Sequence, residues 1–234
     1  IPPNIPPVVN GFDENAIEAA LRVKDVQDSV VTVLSMGQSF ALDVMKKPLS
    51  MGADRLVLLQ DEVFHNSTDS YVTAYVLTAA IRKLGEYDLI IAGRQASDWD
   101  NAQVPLAIAE FLDIPSITIG KKVEVGDGTV TVERQTLDGT EVMQAPLPTL
   151  VTITNELGQP RYPTLRGIMA ATRKQPEIWT AKDLDLEPAD LQPKIETIDL
   201  YIPVTDKQCE LIEGEDESDS GRLLALKLRE AKLI

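Results

Sequence analysis

Polar side chains crowd one short stretch of this chain in an order that could hold an anion. Gly93, Gln95, Asp98, Asp100, Asn101 and Gln103 follow directly on the apolar run Leu89-Ile90-Ile91. That run has the make-up of a short buried strand. The spacing of Val104, Ile108, Phe111 and Leu112 marks an amphipathic helix that begins near Asn101. Strand, glycine turn and helix in that order set backbone N–H groups and a helix N-terminus above the carboxyl edge of a parallel sheet, where phosphates bind. Gly93, having no Cβ, lets a ligand approach closely. Two aspartates facing a phosphate would repel it, so Asp98 and Asp100 suit orienting amides, capping the helix or accepting from ribose hydroxyls. The same residues would also serve a turn and a helix cap with no ligand present.

Elsewhere the residue types narrow the chemistry. The chain has 1 His and 1 Cys, His65 and Cys209, which leaves no intrachain disulfide, multi-thiolate or multi-His metal centre, or mechanism needing two imidazoles. His65, in the run His65-Asn66-Ser67-Thr68-Asp69, reads as a solvated loop residue. A net charge of −15, from 37 acidic and 22 basic residues, argues against nucleic acid or an anionic membrane surface as the main partner. No apolar run approaches the ~20 residues of a membrane helix. A soluble, cytoplasmic protein with no metal is expected.

The framework around the turn can be read along the chain. A Pro-rich opening leads straight into a helix with Asp13 as its N-cap and Ala16, Ile17, Ala20 and Leu21 on its apolar face. An α/β domain seldom begins this way, so a first strand is expected ahead of Ile1. Residues 30–34 read as a strand, and the helix after Ser35-Met36-Gly37 runs to about Ser50 and must tolerate Pro48. Residues 55–59 read as the next strand and 71–84 as a helix through Val72, Tyr75, Val76, Ala79 and Ala80. Strands alternating with helices predict right-handed crossovers and a parallel sheet. After Pro115 the period changes to two, with turns at Asp127-Gly128 and Asp138-Gly139, which predicts a β-meander over residues 116–147.

A buried strand returns at 150–153, and a loop with two prolines, a glycine and Leu157 at its crest comes next at 155–163. Leu157 either folds back onto the core or serves as a small hydrophobic anchor in an interaction loop. A helix from about Thr164 carries Ile168, Met169 and Ala171. Residues 175–216 are rich in proline and acid, with short extended pieces around 178–179 and 198–204, and suit wrapping around a neighbour. A last helix from about Ser220 carries Leu223, Leu224, Leu226 and Leu228. The expected organisation is a nucleotide-binding α/β domain over 1–174, including the meander, and an arm with a terminal helix over 175–234.

Several separated motifs together resemble the β (small) subunit of electron transfer flavoproteins, along the whole chain apart from its start. They are Asn10-Gly11-Phe12-Asp13-Glu14-Asn15-Ala16, Ser50-Met51-Gly52-Ala53-Asp54, Gly93-Arg94-Gln95-Ala96 with Asp98 and Asp100, and Pro160-Arg161-Tyr162 followed by Thr164-Leu165 and Ile168-Met169. Leu228-Arg229-Glu230-Ala231-Lys232 closes the series. The resemblance implies a Rossmann-like fold of the adenine nucleotide α-hydrolase kind, with an added β-meander and an extended C-terminal arm that embraces a larger α subunit. It implies redox-active FAD held in the α subunit at the shared interface. It further implies an adenine nucleotide in this subunit, FAD or AMP, held by Asn10, Phe12, Met36, Gly93, Arg94, Gln95, Ala96, Asp98, Asp100, Asn101, Ala102, Gln103 and Val104. The partner-binding residues it implies are Leu157, Pro160, Arg161 and Tyr162, which dock a flavin dehydrogenase, of the acyl-CoA type, in a fatty-acid oxidation setting.

Departures from the family pattern bear on the nucleotide. Members that hold AMP show Asn-Gln-Thr-Gly where this chain has Ala102-Gln103-Val104-Pro105, and electron-bifurcating members with a second FAD share Ala-Gln-Val. Ala102 and Val104 remove side-chain partners of a terminal phosphate, which suits a pyrophosphate that continues onward, while Trp99 adds bulk. An ATP-using ligase or nucleotidyl transferase on the same fold would carry a His-rich or Ser-Gly-Gly loop, where this chain offers Ser35-Met36-Gly37 and His65. A redox-inactive nucleotide-binding module would be stable alone, whereas the Pro-rich arm predicts dependence on a different chain.

Overall fold

A computed structural model describes residues 5–65, 69–204 and 209–234. The side chain of His65, and with it the solvated-loop reading, lies outside what is described. Two compact units divide the chain, residues 1–196 and 197–234.

The first unit opens with α1 (Gly11–Val26), which buries Ala16, Ala19, Leu21 and Val23. Its N-cap is Asn10, so the helix starts before Asp13 rather than at it. β1 (Thr32–Gly37) is followed by α2 (Leu42–Met45) and α3 (Lys47–Met51) in place of one helix. Pro48 falls in the first turn of α3, where its missing N–H would have no partner in any case. β2 (Arg55–Gln60) and α4 (Ser70–Leu84) come next. Asp69 caps α4, accepting from Tyr71 N at 2.8 Å and Val72 N at 3.2 Å, and also accepts from the backbone of Lys194 and Ile195. Burial alone would raise its pKa, but those backbone donors hold the carboxyl below its usual range.

Beyond α4 lie β3 (Leu89–Gly93), α5 (Val104–Leu112), β4 (Ser116–Gly126), β5 (Thr129–Thr136), β6 (Gly139–Pro146) and β7 (Thr149–Ile153). α6 (Leu165–Arg173), β8 (Glu177–Trp179) and a short 3-10 turn at Lys182–Leu184 follow in this unit. Parallel strands fall in two open sheets. β1, β2 and β8 form one of three strands, and a five-stranded sheet has the order β3-β7-β4-β5-β6. β4 pairs in parallel with β7 at Ser116, Ile117 and Gly120, and antiparallel with β5 from Gly120 onward. A bulge shifts the β7 register between Ile117 and Gly120, with Ile119 at φ 56 and its N–H donating to Thr152 Oγ1 at 3.0 Å. The meander is as its period predicts, and Asp127 and Gly128, both at positive φ, turn its first hairpin.

Apolar burial follows the same layers. Val151 and Ile153 of β7, Val130 and Val132 of β5 and the Ala16–Ala19 face of α1 form one cluster. Val57 and Leu59 of β2 pack with Val72 and Val76 of α4 in another, joined by Ala181 and Leu184 from the stretch after β8. The part of the expected arm from 177 to 184 therefore packs on the α/β unit.

In the second unit α7 (Glu217–Glu230) is capped by Asp216, whose carboxylate accepts from Asp219 N at 2.8 Å. Ile198, Leu200, Ile202 and Val204 are exposed and belong to no strand. Among the described residues no helix is long and apolar enough to cross a membrane.

Candidate functional site

The turn after β3 is built from two distant pieces of chain. Asn10 donates through Nδ2 to Gln95 O at 2.8 Å, and its Oδ1 accepts from Ser97 Oγ at 2.7 Å and Ser97 N at 3.3 Å. Asp13, read from sequence as a cap, instead accepts the backbone N–H of Gly93 at 2.9 Å through Oδ1. Arg94 lies over the ring of Phe12, 5.3 Å from its centroid. Gly93 is also required by packing. A Cβ on it would come within 2.7 Å of Phe12 carbonyl carbon and Asp13 Oδ1, so the first turn of α1 packs directly on it.

Past Ala96 the same turn is exposed through Gln103. Asp100 and Ala102 both sit at φ 53, and Gln103 at φ −101, ψ −38 leads into α5. Left- and right-handed residues in succession turn neighbouring N–H groups toward one side, a concave arrangement that suits an anion. α5 begins at Val104 rather than near Asn101, and Gln103 makes no side-chain cap to it. Donors at the start of α5 are therefore left without a cap, at the positive end of the helix dipole. Asp100 turns back to accept from Gln95 Nε2, so its carboxylate is engaged within the turn. Trp99 is part exposed.

Met36 stands apart from this group. It lies on β1 opposite Leu59 and packs with the cluster of β2 and α4. The residues brought together around the turn are Asn10, Phe12, Gly93, Arg94 and Gln95, with Asp13 and Ser97 added. No spacing in the sequence marks those two as partners, because each bond spans about eighty positions of chain.

The loop before α6 differs from its expected form. Leu157 is 7% exposed and packs with Ala16, Ala19 and Ile153, so it is a core residue and not an exposed anchor. Arg161 likewise points inward: it donates from its backbone N (3.0 Å) and Nε (2.8 Å) to Glu18, and from Nη2 (2.6 Å) to Asp25. Burial would raise the Glu18 pKa, but the hydrogen bonds from Arg161 and Arg22 hold it below the usual range. Asp25 is held low by the Arg161 hydrogen bond, and the same pairs push Arg161 up. Pro160 is half-buried, while Tyr162 is 86% exposed.

Exposed apolar groups begin only beyond Arg161. α6 packs through its small side: Ala171 is buried, and a Cβ on Gly167 would collide with the Ser50 carbonyl. Leu165, at 76% exposed, Ile168 and Met169 face outward. Around them the segment 161–174 contains arginines and a lysine and no carboxylate, in a chain of net charge −15.

Comparison with known proteins places the chain in a family. Residues 5–184 match the electron transfer flavoprotein domain. The chain is 42% identical over 187 residues to electron transfer flavoprotein subunit beta of Clostridium acetobutylicum, covering 80% of this chain and 71% of that one. It is 35% identical over 227 residues to the protein of the same name in Bacillus subtilis, covering 97% and 88%. A third relative, the CarD subunit of the caffeyl-CoA reductase-Etf complex of Acetobacterium woodii, is 36% identical over 235 residues, covering 98% and 89%.

Proposed function

The chain belongs to the electron transfer flavoprotein family as a β-subunit homologue, and on that premise we propose that it is the small subunit of a heterodimeric electron carrier. In this reading an α subunit carries the redox-active FAD, a flavin dehydrogenase of the acyl-CoA type is the donor, and the acceptor is quinone- or ferredoxin-linked. The bound flavin supplies the redox chemistry; this chain supplies orientation, electrostatics and docking.

The observation that carries the reading is the division of the turn after β3. Its first half is pinned to α1 by Asn10 and Asp13, while its second half offers uncapped backbone donors from Ala102 into α5. Such a cradle fits the phosphates of an adenine nucleotide, AMP or FAD. Gly93, Arg94, Gln95 and Asn10 set its path, Ala96 to Val104 would line it, and Phe12 holds Arg94. Met36 would have to reach the nucleotide from the other sheet.

A second FAD, as in an electron-bifurcating carrier, is favoured over AMP by one feature. Ala102 and Val104 offer no side-chain donor, so the phosphates would rest on backbone alone and the ligand could extend past them. The CarD relative, named for a reductase-Etf complex, is in keeping with that alternative. Denaturing the purified heterodimer and measuring its released nucleotides by chromatography separates the two: FAD and AMP in equal amounts mark a simple carrier, and FAD alone at twice the heterodimer marks bifurcation. A complex with no flavin overturns both.

Docking moves along the chain from the residue first assigned to it. With Leu157 in the core, the dehydrogenase contact is better supplied by Tyr162, Leu165, Ile168 and Met169, with the exposed Arg166 and Arg173 on the same helix. An apolar patch with arginines on its helix fits an acidic-rimmed apolar pocket on a partner.

A further inference from the structure

Residues 158–164 belong to no helix or strand and lead directly into α6. Their path is set by one stripe of α1. Asn15 donates to Gly158 O at 2.8 Å, Arg22 donates through Nη1 to Leu157 O at 3.2 Å, and Asp25 takes the far edge of the Arg161 guanidinium. Positions 15, 18, 22 and 25 lie along one face of a helix. Glu18 is at the middle of that stripe, its side chain 6% exposed. Both of its oxygens are engaged: Oε2 by Arg161 N and Nε, and Oε1 by Arg22 Nε at 2.8 Å and Arg161 Nη2 at 3.4 Å. A carboxylate at this depth is retained only with such pairing, and here one of its donors is a main-chain N–H, which fixes the backbone as well as a side chain.

We propose that Glu18 is a positioning residue for docking: through Arg161 it ties the chain between Leu157 and α6 to the helix that also holds the nucleotide turn, and so places Tyr162 and the entry to the Tyr162–Met169 face, while α6 itself rests on Ser50. The inference rests on the reading of that face as the dehydrogenase contact. Glu18 itself touches neither partner nor nucleotide. Replacing it with glutamine keeps its shape but removes the charge and leaves one acceptor oxygen where there were two, so an amide N–H₂ faces arginine donors and the clamp on the Arg161 side chain and backbone is weakened.

The test uses the heterodimer co-expressed with its α subunit, with an acyl-CoA dehydrogenase and its acyl-CoA as the probe. Glu18→Gln, Arg161→Gln, the double variant and Leu165→Ala are compared in flavin-reduction kinetics and hydrogen exchange. Glu18→Gln is expected to raise the KM for the carrier about 10-fold with kcat unchanged, and to speed exchange in 157–164 about 10-fold with β3 and α1 unchanged. The double variant should be no worse than Arg161→Gln alone, since the two residues act as one unit. Leu165→Ala should raise KM without changing loop exchange. Unchanged loop exchange in Glu18→Gln, or faster exchange throughout the α/β unit, overturns the proposal. So does an unchanged KM in Glu18→Gln where Leu165→Ala raises it. Should Leu165→Ala leave KM untouched, it is the docking reading that fails, and loop exchange alone decides whether Glu18 positions the segment.

Discussion

The two ends of α1 each hold an irregular segment, and they treat it in opposite ways. At the first turn, Asn10 and Asp13 pin residues 93–97 and leave the backbone from Ala102 into α5 uncapped. Further along, Asn15, Glu18, Arg22 and Asp25 engage the loop at 157–161, and Leu157 is buried beneath it. A segment that must take a ligand keeps polar groups in reserve. One that must aim a neighbouring surface engages its polar groups internally and leaves exposure to the adjoining helix. Polar composition alone does not separate the two cases, since both stretches are loops with glycine and charge.

The largest effect should come from Leu157→Ala. Emptying a core site costs roughly 2–5 kcal/mol, so the melting temperature should fall by many degrees, whereas Leu165→Ala should leave it nearly unchanged. Equal effects of the two in thermal unfolding would break the contrast between buried and exposed leucine. Gly93→Ala comes next. Its Cβ would strike the Phe12–Asp13 backbone, and overpacking of this kind costs about 1–3 kcal/mol. Loss of bound adenine nucleotide should accompany it.

Asn10→Ala removes the bridge to Gln95 and Ser97, at about 1–2 kcal/mol. The nucleotide content of the purified complex should drop several-fold while dehydrogenase KM is kept, which would sharpen the separation of the two ends. The smallest effect is expected from pH. Glu18 and Asp25 have folded pKa values below their ordinary 4.5 and 3.8, so the unfolded chain binds protons first as pH falls. Their stabilisation is complete above the ordinary values and is lost as pH drops through the lower folded ones. The melting difference between the native chain and Glu18→Gln should therefore be constant near neutrality and shrink below about pH 4.

Much of the site was legible because its signals are local. The strand at Leu89–Gly93 and the turn after it follow from an apolar run meeting a glycine and polar cluster, and the meander follows from period-two alternation with Asp-Gly turns. Family motifs further grouped Asn10 and Phe12 with Gly93. Element edges were less legible. α5 starts later than its polar lead-in suggests because Asp100 and Ala102 take left-handed conformations that a helix excludes. α1 starts earlier because Asn10 ends the extended segment, while Asp13 has a partner far along the chain.

The order and type of the elements, the family, and the polar turn after β3 were all set by local sequence, since periodicity, turn chemistry and motif order are properties of neighbouring residues. Which polar groups meet was settled by packing in three dimensions. The bonds of Asn10 to Gln95 and of Glu18 to Arg161 join residues 85 and 143 positions apart. Packing also decided which leucine is inside. Leu157 and Leu165 are alike as residues, but one lands on Ala16 and Ala19, and the other is turned outward because α6 packs through Gly167 and Ala171 against Ser50. Close approach at small residues outweighed the usual burial of the larger apolar face, and no spacing in one chain reports that contest before the helices meet.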